Sequence, residues 1–417
     1  MFIPISDLHK PEVLAHYKPH AERALMETPN NPDIYIVLAC IYLHEQEYEK
    51  ALGFAKQAIG FRPDYAGHYV TLAGILGNMG RFEEAGEALE KGFLLGKNVP
   101  SLNWNYSLWL LQHGHFQLGW DLYRWRKVQL TGFRRTLDPE WKKGDPIKGF
   151  GRLLLWCEQG YGDIIMMLRF VKYIKQYLGF KEVHFEVPAE LYTLACRHTE
   201  GIDSVYIVRA DLHTPIEFDH HMSIMDLPYN LGIISEEEFN GNSPYIIPRQ
   251  DVIDEWKNCF EKDPEVNGKK RIGLCWRGSP GHVNDKNRSA KLQDFHPLVK
   301  DQNNVLFALV KEGQDDVPKE MESRLKNISG GLINADYTTG AIGAMDCIVT
   351  VDTFVAHLAG AMGKKVYLLL PFAQEWRWKD GIGTSYLYNT VEMFKQVDPG
   401  DWSTPIRKVC EAIAKNV

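Results

Sequence analysis

The chain is poor in the features that would assign it fastest. Seven cysteines are spread over 417 residues, and no two stand at Cys-x-x-Cys spacing. That removes the signature of a disulfide framework or a structural zinc site, and the chain reads as reduced and cytoplasmic. Long apolar runs are missing: Tyr35–Leu43 and Val366–Leu370 fall well short of the roughly 20 residues a membrane span needs. The opening stretch, Met1 to Lys18, has no basic cluster followed by an apolar run and does not read as a secretory signal. Basic charge is not in excess either. Lys and Arg number 47 against 54 Asp and Glu, a formal charge of −7, which argues against holding nucleic acid by bulk electrostatics. No G-x-x-x-x-G-K-[ST] P-loop occurs, and no Asp-x-Asp pair is suited to holding a metal on a diphosphate.

What is present is an ordinary globular composition, 45% hydrophobic and 24% charged, in a chain long enough for two to four domains at ~100–200 residues each. The first third repeats itself. Tyr35, Leu38, Ala39, Tyr48 and Ala51 recur 34 residues later as Tyr69, Leu72, Ala73, Phe82 and Ala85, and the pattern continues at Tyr106, Ser107, Phe116 and Gly119. Ala58 and Pro63 have earlier counterparts at Ala24 and Pro29. Large residues facing small ones at this period, with a proline closing each unit, resemble the tetratricopeptide repeat over residues 10–129. Such a stack implies either a partner-binding concave face or a packing scaffold. The aromatics Trp104, Tyr106, Trp109, Trp120, Tyr123 and Trp125 stand at helical spacing and are expected in the core.

Between Arg124 and Arg152 nine basic residues meet three acidic ones, with Pro139, Gly144, Pro146, Gly149 and Gly151 as punctuation. The stretch reads as a solvated basic connector, or alternatively as a patch for an anionic ligand, and residues 130–150 are taken as the linker. Strand–turn–helix patterns follow. Leu153–Cys157, Lys181–Val187 and Ser204–Val208 read as strands of a first α/β domain over 151–250, with a helix over Ile164–Leu178. Arg271–Trp276, Asn304–Val310, Cys347–Val351 and Lys365–Leu370 read as strands of a second over 251–417, with helices Thr338–Met345, Phe354–Met362 and a last one over Ser403–Ala414. Open parallel sheets bind ligands at the carboxyl ends of their strands.

Two junctions carry candidate chemistry. Asp352-Thr353-Phe354-Val355-Ala356-His357 lies where a strand meets a helix, and unpaired amides there favour a phosphate, although Asp352 and Thr353 also suit a plain N-cap. The loop after Trp276 holds Arg277, Gly278, Lys286 and Arg288, a set able to fork onto diphosphate oxygens or simply to face solvent.

The same segments carry a second resemblance. Gly273-Leu274-x-Trp276-x-Gly278-x-Pro280-x-His282-x-x-Asp285-x-x-Arg288-Ser289 and Val351-Asp352-Thr353-x-x-x-His357-Leu358-Ala359-Gly360-Ala361-x-Gly363-Lys364 are similar to the tetratricopeptide-linked glycosyltransferases related to the heptosyltransferase family. Leu155-Trp156-x-Glu158-Gln159-Gly160-x-Gly162-Asp163, Leu369-Leu370-Pro371-Phe372 and Trp376-Arg377-Trp378 extend the match in order along nearly the whole chain. After Trp378 the sequence departs from the family pattern, because residues 379–390 lack the expected proline.

The resemblance implies a GT-B fold, two Rossmann-like domains behind the helical repeats. It implies a nucleoside-diphosphate sugar as donor substrate, no cofactor and no metal, with inverting transfer to a hydroxyl. Asp352 to His357, Arg277, Gly278, Lys286, Arg288, Lys311 and Arg377 would form the donor site. Asp163 matches the family's catalytic base, with Glu158 in reserve. A glycan or protein acceptor is expected ahead of a modified nucleobase. The repeats could hold a partner protein, and the competing expectation is a non-catalytic tetratricopeptide scaffold with a degenerate GT-B part.

Overall fold

The computed structural model describes residues 11–129, 140–209, 216–240, 244–282, 284–310 and 317–415. The chain divides into two compact units, Met1–Gly132 and Phe133–Val417.

The first unit is all helical. α1 (Pro11–Glu27) is followed by three hairpins: α2 (Pro32–His44) with α3 (Tyr48–Phe61), α4 (Ala66–Asn78) with α5 (Phe82–Leu95), and α6 (Pro100–Gln112) with α7 (Phe116–Tyr123). The 34-residue period is visible in the backbone. Gln46, Gly80 and Gly114 occupy the same inter-helix turn with φ of 63°, 75° and 81°, a conformation that two of the three repeats satisfy with glycine. It recurs in the hydrogen bonds too. The Tyr35 hydroxyl donates to Pro29 O at 2.8 Å, and that of Tyr69 to Pro63 O at 2.7 Å. In the third unit the Asn103 amide donates to Lys97 O at 2.7 Å. Tyr106, Trp120 and Tyr123 are buried, and Trp104, Trp109 and Trp125 are half-buried against the same core, as their spacing suggests.

The second unit contains two parallel sheets, the all-α then α/β order expected of the chain. In the first sheet β1 (Arg152–Trp156), β2 (Glu182–Val187), β3 (Ser204–Ile207) and β4 (His220–Ser223) lie in the order 3-2-1-4. The second holds β5 (Lys270–Cys275), β6 (Asn304–Ala308), β7 (Leu325–Asn327), β8 (Cys347–Val351), β9 (Val366–Leu370), β10 (Gly383–Thr384) and β11 (Val391–Lys395) in the order 10-11-9-8-5-6-7. Among the described strands only β10 pairs antiparallel. From β7 through β11 this is the doubly wound Rossmann order, and the winding reverses between β5 and β8. In the first sheet it reverses between β1 and β4. Loops leaving these strands at a reversal diverge and open a crevice, so the β1, β5 and β8 ends are where a ligand belongs.

Two expectations are corrected and one is sharpened. The connector is exposed from Lys142 to Phe150, as a solvated stretch is, but it is anchored at one end: Trp141 is buried against Phe180, the Trp141 amide donates to His221 O at 2.9 Å, and Glu140 bridges to His221 at the β4 edge. An indole in that stretch gives it something to bury. Its basic character is also partly consumed, because Arg126 is buried within the repeat unit and Arg152 is paired with Asp219 and Glu217. Finally, the helix expected over Ile164–Leu178 runs Tyr161–Val171 and continues as one wider π turn, Ile174–Leu178, which ends at Gly179 with φ 83°.

Candidate functional site

The first wall of the site follows β1. After Trp156 the backbone turns through Gln159, a non-glycine residue at φ 64°, into Gly160, which caps the Tyr161–Val171 helix. Asp163 stands at the third helical position. Its Oδ2 accepts the Gly160 amide at 3.1 Å, the carboxylate half of a capping box. Its Oδ1 accepts from both Nε (2.8 Å) and Nη2 of Arg377, a residue from beyond β9. Arg377 also donates through Nη1 to Glu375 at 3.3 Å. Glu158 lies earlier on the turn, half-buried, and accepts from the Ser223 hydroxyl at the end of β4.

The second wall follows β8. Asp352 is buried where the strand ends, and Thr353 caps the Phe354–Ala361 helix in extended backbone, φ −146°. The Thr353 hydroxyl makes no cap bond; it faces the Thr350 hydroxyl at 3.1 Å. The Ala356 amide is engaged by Thr353 O at 3.0 Å, so the turn offers a ligand the earlier amides, which an α-helix leaves without internal acceptors. Val355 and Ala356 bury their side chains, whereas Phe354 is half-buried with its ring 6.1 Å from that of Tyr161.

Burial pushes the Asp352 carboxyl up to about 6. Glu375 adds to the rise, and Arg377, the Trp378 indole and Arg288 oppose it. His357 is buried against Trp378, ring centres 5.0 Å apart, and its Nδ1 shares a hydrogen bond with the Tyr388 hydroxyl at 3.0 Å. Burial holds its pKa well below the usual imidazole value, helped by Arg377 and Arg169, so the ring is neutral at pH 7. The His357 ring also closes onto the opposite wall: a Cβ on Gly162 would stand 2.6 Å from it.

The third element is the loop after β5. The Ala290 amide bonds Trp276 O at 2.9 Å and closes the loop at its base. Arg288 then reaches back to donate to Asp352 O at 3.3 Å while pairing with Asp285 at 3.3 Å. Gly278 leaves room for Arg288: a Cβ there would lie 2.4 Å from the guanidinium and would make it shift. Arg277 is half-buried at the loop entrance, and Lys286 is exposed on the short Asp285–Arg288 helix. Lys311 lies outside the described residues.

Asp163, Arg377, Asp352, His357, Arg288 and Gly278 therefore come together, from both sheets. Sequence reasoning missed the layer beneath them. Arg169, fully buried on the Asp163 helix, donates to Leu387 O at 3.0 Å and to the Tyr245 hydroxyl at 3.1 Å. Its guanidinium lies 4.9 Å from the centre of the Tyr388 ring. Leu387 and Tyr388 belong to the segment that departs from the family pattern, so the departure supplies support for His357. Glu375, next to the Trp376-Arg377-Trp378 motif, could have been flagged by that proximity; Arg169 and Tyr245 had no local signal.

Comparison with known proteins gives the following. The tetratricopeptide-repeat family model matches residues 32–65 and 68–95, so the repeats read from the 34-residue period are tetratricopeptide repeats. Protein FlbA of Caulobacter vibrioides is 21% identical over 94% of this chain and 68% of its own length. A glycosyl transferase family 9 structure from Veillonella parvula superposes at a TM-score of 0.44 and 10% identity, covering 64% of this chain and 98% of that one. An O-GlcNAc transferase variant from Thermobaculum terrenum covers 99% of this chain and 91% of its own at 0.33 and 12% identity. No helix among the described residues is long and apolar enough to cross a membrane.

Proposed function

We propose that the α/β unit is a glycosyltransferase that moves a sugar from a nucleoside-diphosphate donor to an acceptor hydroxyl. One observation carries the reading. At the winding reversal of the second sheet, a helix N-terminus not capped by its Thr353 side chain, Arg288 and Arg377 converge opposite a carboxylate, Asp163, from the first sheet. Helix amides and guanidinium forks are the groups that hold a diphosphate and stabilise the charge it gains on leaving. The sheet from β5 to β11 is then the donor side and the sheet from β1 to β4 the acceptor side.

In the reaction the acceptor oxygen bonds to the anomeric carbon as the bond from that carbon to the diphosphate oxygen breaks. The acceptor proton passes to Asp163, and the bonding pair leaves with the nucleoside diphosphate. Attack from the face opposite the leaving group inverts the anomeric centre. The arginines and helix amides stabilise the leaving charge, so the proposed reaction runs without a metal. Glu158, tied to Ser223, is the reserve base. A glycan or protein acceptor is proposed, with the tetratricopeptide repeats as the surface for a partner.

Incubation with a panel of nucleotide sugars, followed by release of nucleoside diphosphate, tests the reading. Turnover should appear with at least one donor and vanish in Asp163→Asn. Turnover unchanged in that variant removes Asp163 from the mechanism. Absence of both turnover and diphosphate binding restores the scaffold alternative; a ligand at 100 times its Kd should add about 2.7 kcal/mol of stability.

A further inference from the structure

The Oδ1 atom of the proposed base is fully engaged. Asp163 spends Oδ2 on the Gly160 amide and Oδ1 on two nitrogens of Arg377, and side-chain exposure of the pair is only 14% and 12%. The opposite problem exists for the cation. Arg377 presents Nε and Nη2 to Asp163 and Nη1 to Glu375, so its donor edges face carboxylates. Arg288, the neighbouring cation, is already paired with Asp285. A diphosphate at the Phe354–Ala361 helix can take the Nε–Nη2 edge of Arg377 only by displacing Asp163, and a proton can reach Oδ1, which already accepts two bonds, only if Arg377 withdraws. One event meets both requirements.

We propose that Arg377 is a donor-operated gate: the donor's diphosphate takes the Arg377 fork away from Asp163, and that exchange frees Oδ1 to accept the acceptor's proton. The inference rests on the glycosyltransferase reading above. The partner that moves is identified by geometry. Gly160 holds Oδ2 through a backbone amide fixed at a helix start, whereas Arg377 reaches Asp163 on a long side chain from the other sheet's loops. A diphosphate carries more charge than a carboxylate and offers oxygens in a planar fork's reach, so it competes well for guanidinium. Proton acceptance at Oδ1 is thereby tied to the donor-bound state, which orders donor before acceptor.

The gate makes a prediction that a purely structural ion pair does not: removing the carboxylate should strengthen ligand binding. Asn at 163 keeps an oxygen for the Gly160 amide but no longer holds Arg377 by charge. Calorimetric titration of full-length wild type and Asp163→Asn with ADP, UDP, GDP and inorganic pyrophosphate should give Kd values about 5–10-fold tighter in the variant, as expected if Arg377 is free only ~10–20% of the time before the exchange. Arg377→Gln should weaken binding, and adding Asp163→Asn to it should restore nothing, because the carboxylate acts on the ligand through Arg377. Asp163→Ser, read the same way, serves if the Asn variant does not fold. Wild-type binding with equal or weaker affinity in Asp163→Asn and Asp163→Ser overturns the gate while leaving the donor site standing. Failure of every diphosphate to bind wild type overturns both.

Discussion

In the repeat unit Tyr35, Tyr69 and Asn103 each bond a carbonyl six residues back. In the α/β unit Arg169 bonds a carbonyl 218 residues on, Arg377 pairs with Asp163 across 214, and Arg197 with the buried Asp336 across 139. The first unit thus repeats near-identical local terms, each replaceable by a variation such as asparagine for tyrosine. The second concentrates its polar stabilisation in a few contacts that join its two sheets. Local terms tolerate loss singly; a long-range buried ion has no substitute nearby.

The sharpest way to break the contrast is Arg169→Met. It removes the donor shared by Phe239 O, Leu387 O and the Tyr245 hydroxyl, and should destabilise the α/β unit by about 3–5 kcal/mol, since each buried acceptor left unpaired costs about 1–3 kcal/mol. Calorimetry should show that transition lowered while the repeat transition stays put. Leu102, fully buried between hairpins, is the matching lesion in the first unit. Leu102→Ala should lower the repeat transition by about 2–4 kcal/mol and spare the other.

Acid sharpens the comparison through groups of opposite sign. His68 in the repeats and His357 in the α/β unit are both held below the usual imidazole value, mainly by burial. The unfolded chain takes up those protons first, so stability present above the ordinary value near 6.5 is lost as pH falls below it. Asp352, raised to about 6, works the other way: the folded state takes its proton first, and stability rises as pH falls from about 6 toward the ordinary carboxylate value. Asp352→Asn should therefore stabilise the α/β unit at pH 7 by about 2–3 kcal/mol and flatten its gain near pH 5, read by denaturant titration at several pH values. The smallest effect belongs to the exposed Arg407–Glu411 pair, one helical turn apart at 2.7 Å. Glu411→Ala should move stability by less than about 0.5 kcal/mol.

The same contrast explains what could be read from the chain in advance. The repeats announce themselves because each contact recurs 34 residues later, and β1, β5, β8 and β9 because a strand buried on both faces must be continuously apolar. β4 was missed: His220-His221-Met222-Ser223 has no such run, yet it is buried through pairing with β1. Asp163, Asp352, His357 and Arg288 were legible from their junctions with strands and helices. That Arg377 grips Asp163, or that Tyr388 steadies His357, depends on which loops the folded sheets bring together, and no local spacing encodes it. The anchor that Trp141 gives the otherwise exposed connector was hidden for a related reason, since its partner is Phe180, beyond β1.

Arg169 also sets a timetable for the growing polypeptide. The stretch carrying its guanidinium leaves the ribosome well before Leu387, and at about 5–20 residues per second the intervening 218 residues take roughly 10–45 s to translate. From Ser223 onward, most of that interval, the first sheet has been synthesised but its buried Arg169 lacks that carbonyl, while every tetratricopeptide hairpin is already complete. Nascent chains stalled short of Leu387 should consequently engage chaperones through the α/β portion and leave the repeats unattended.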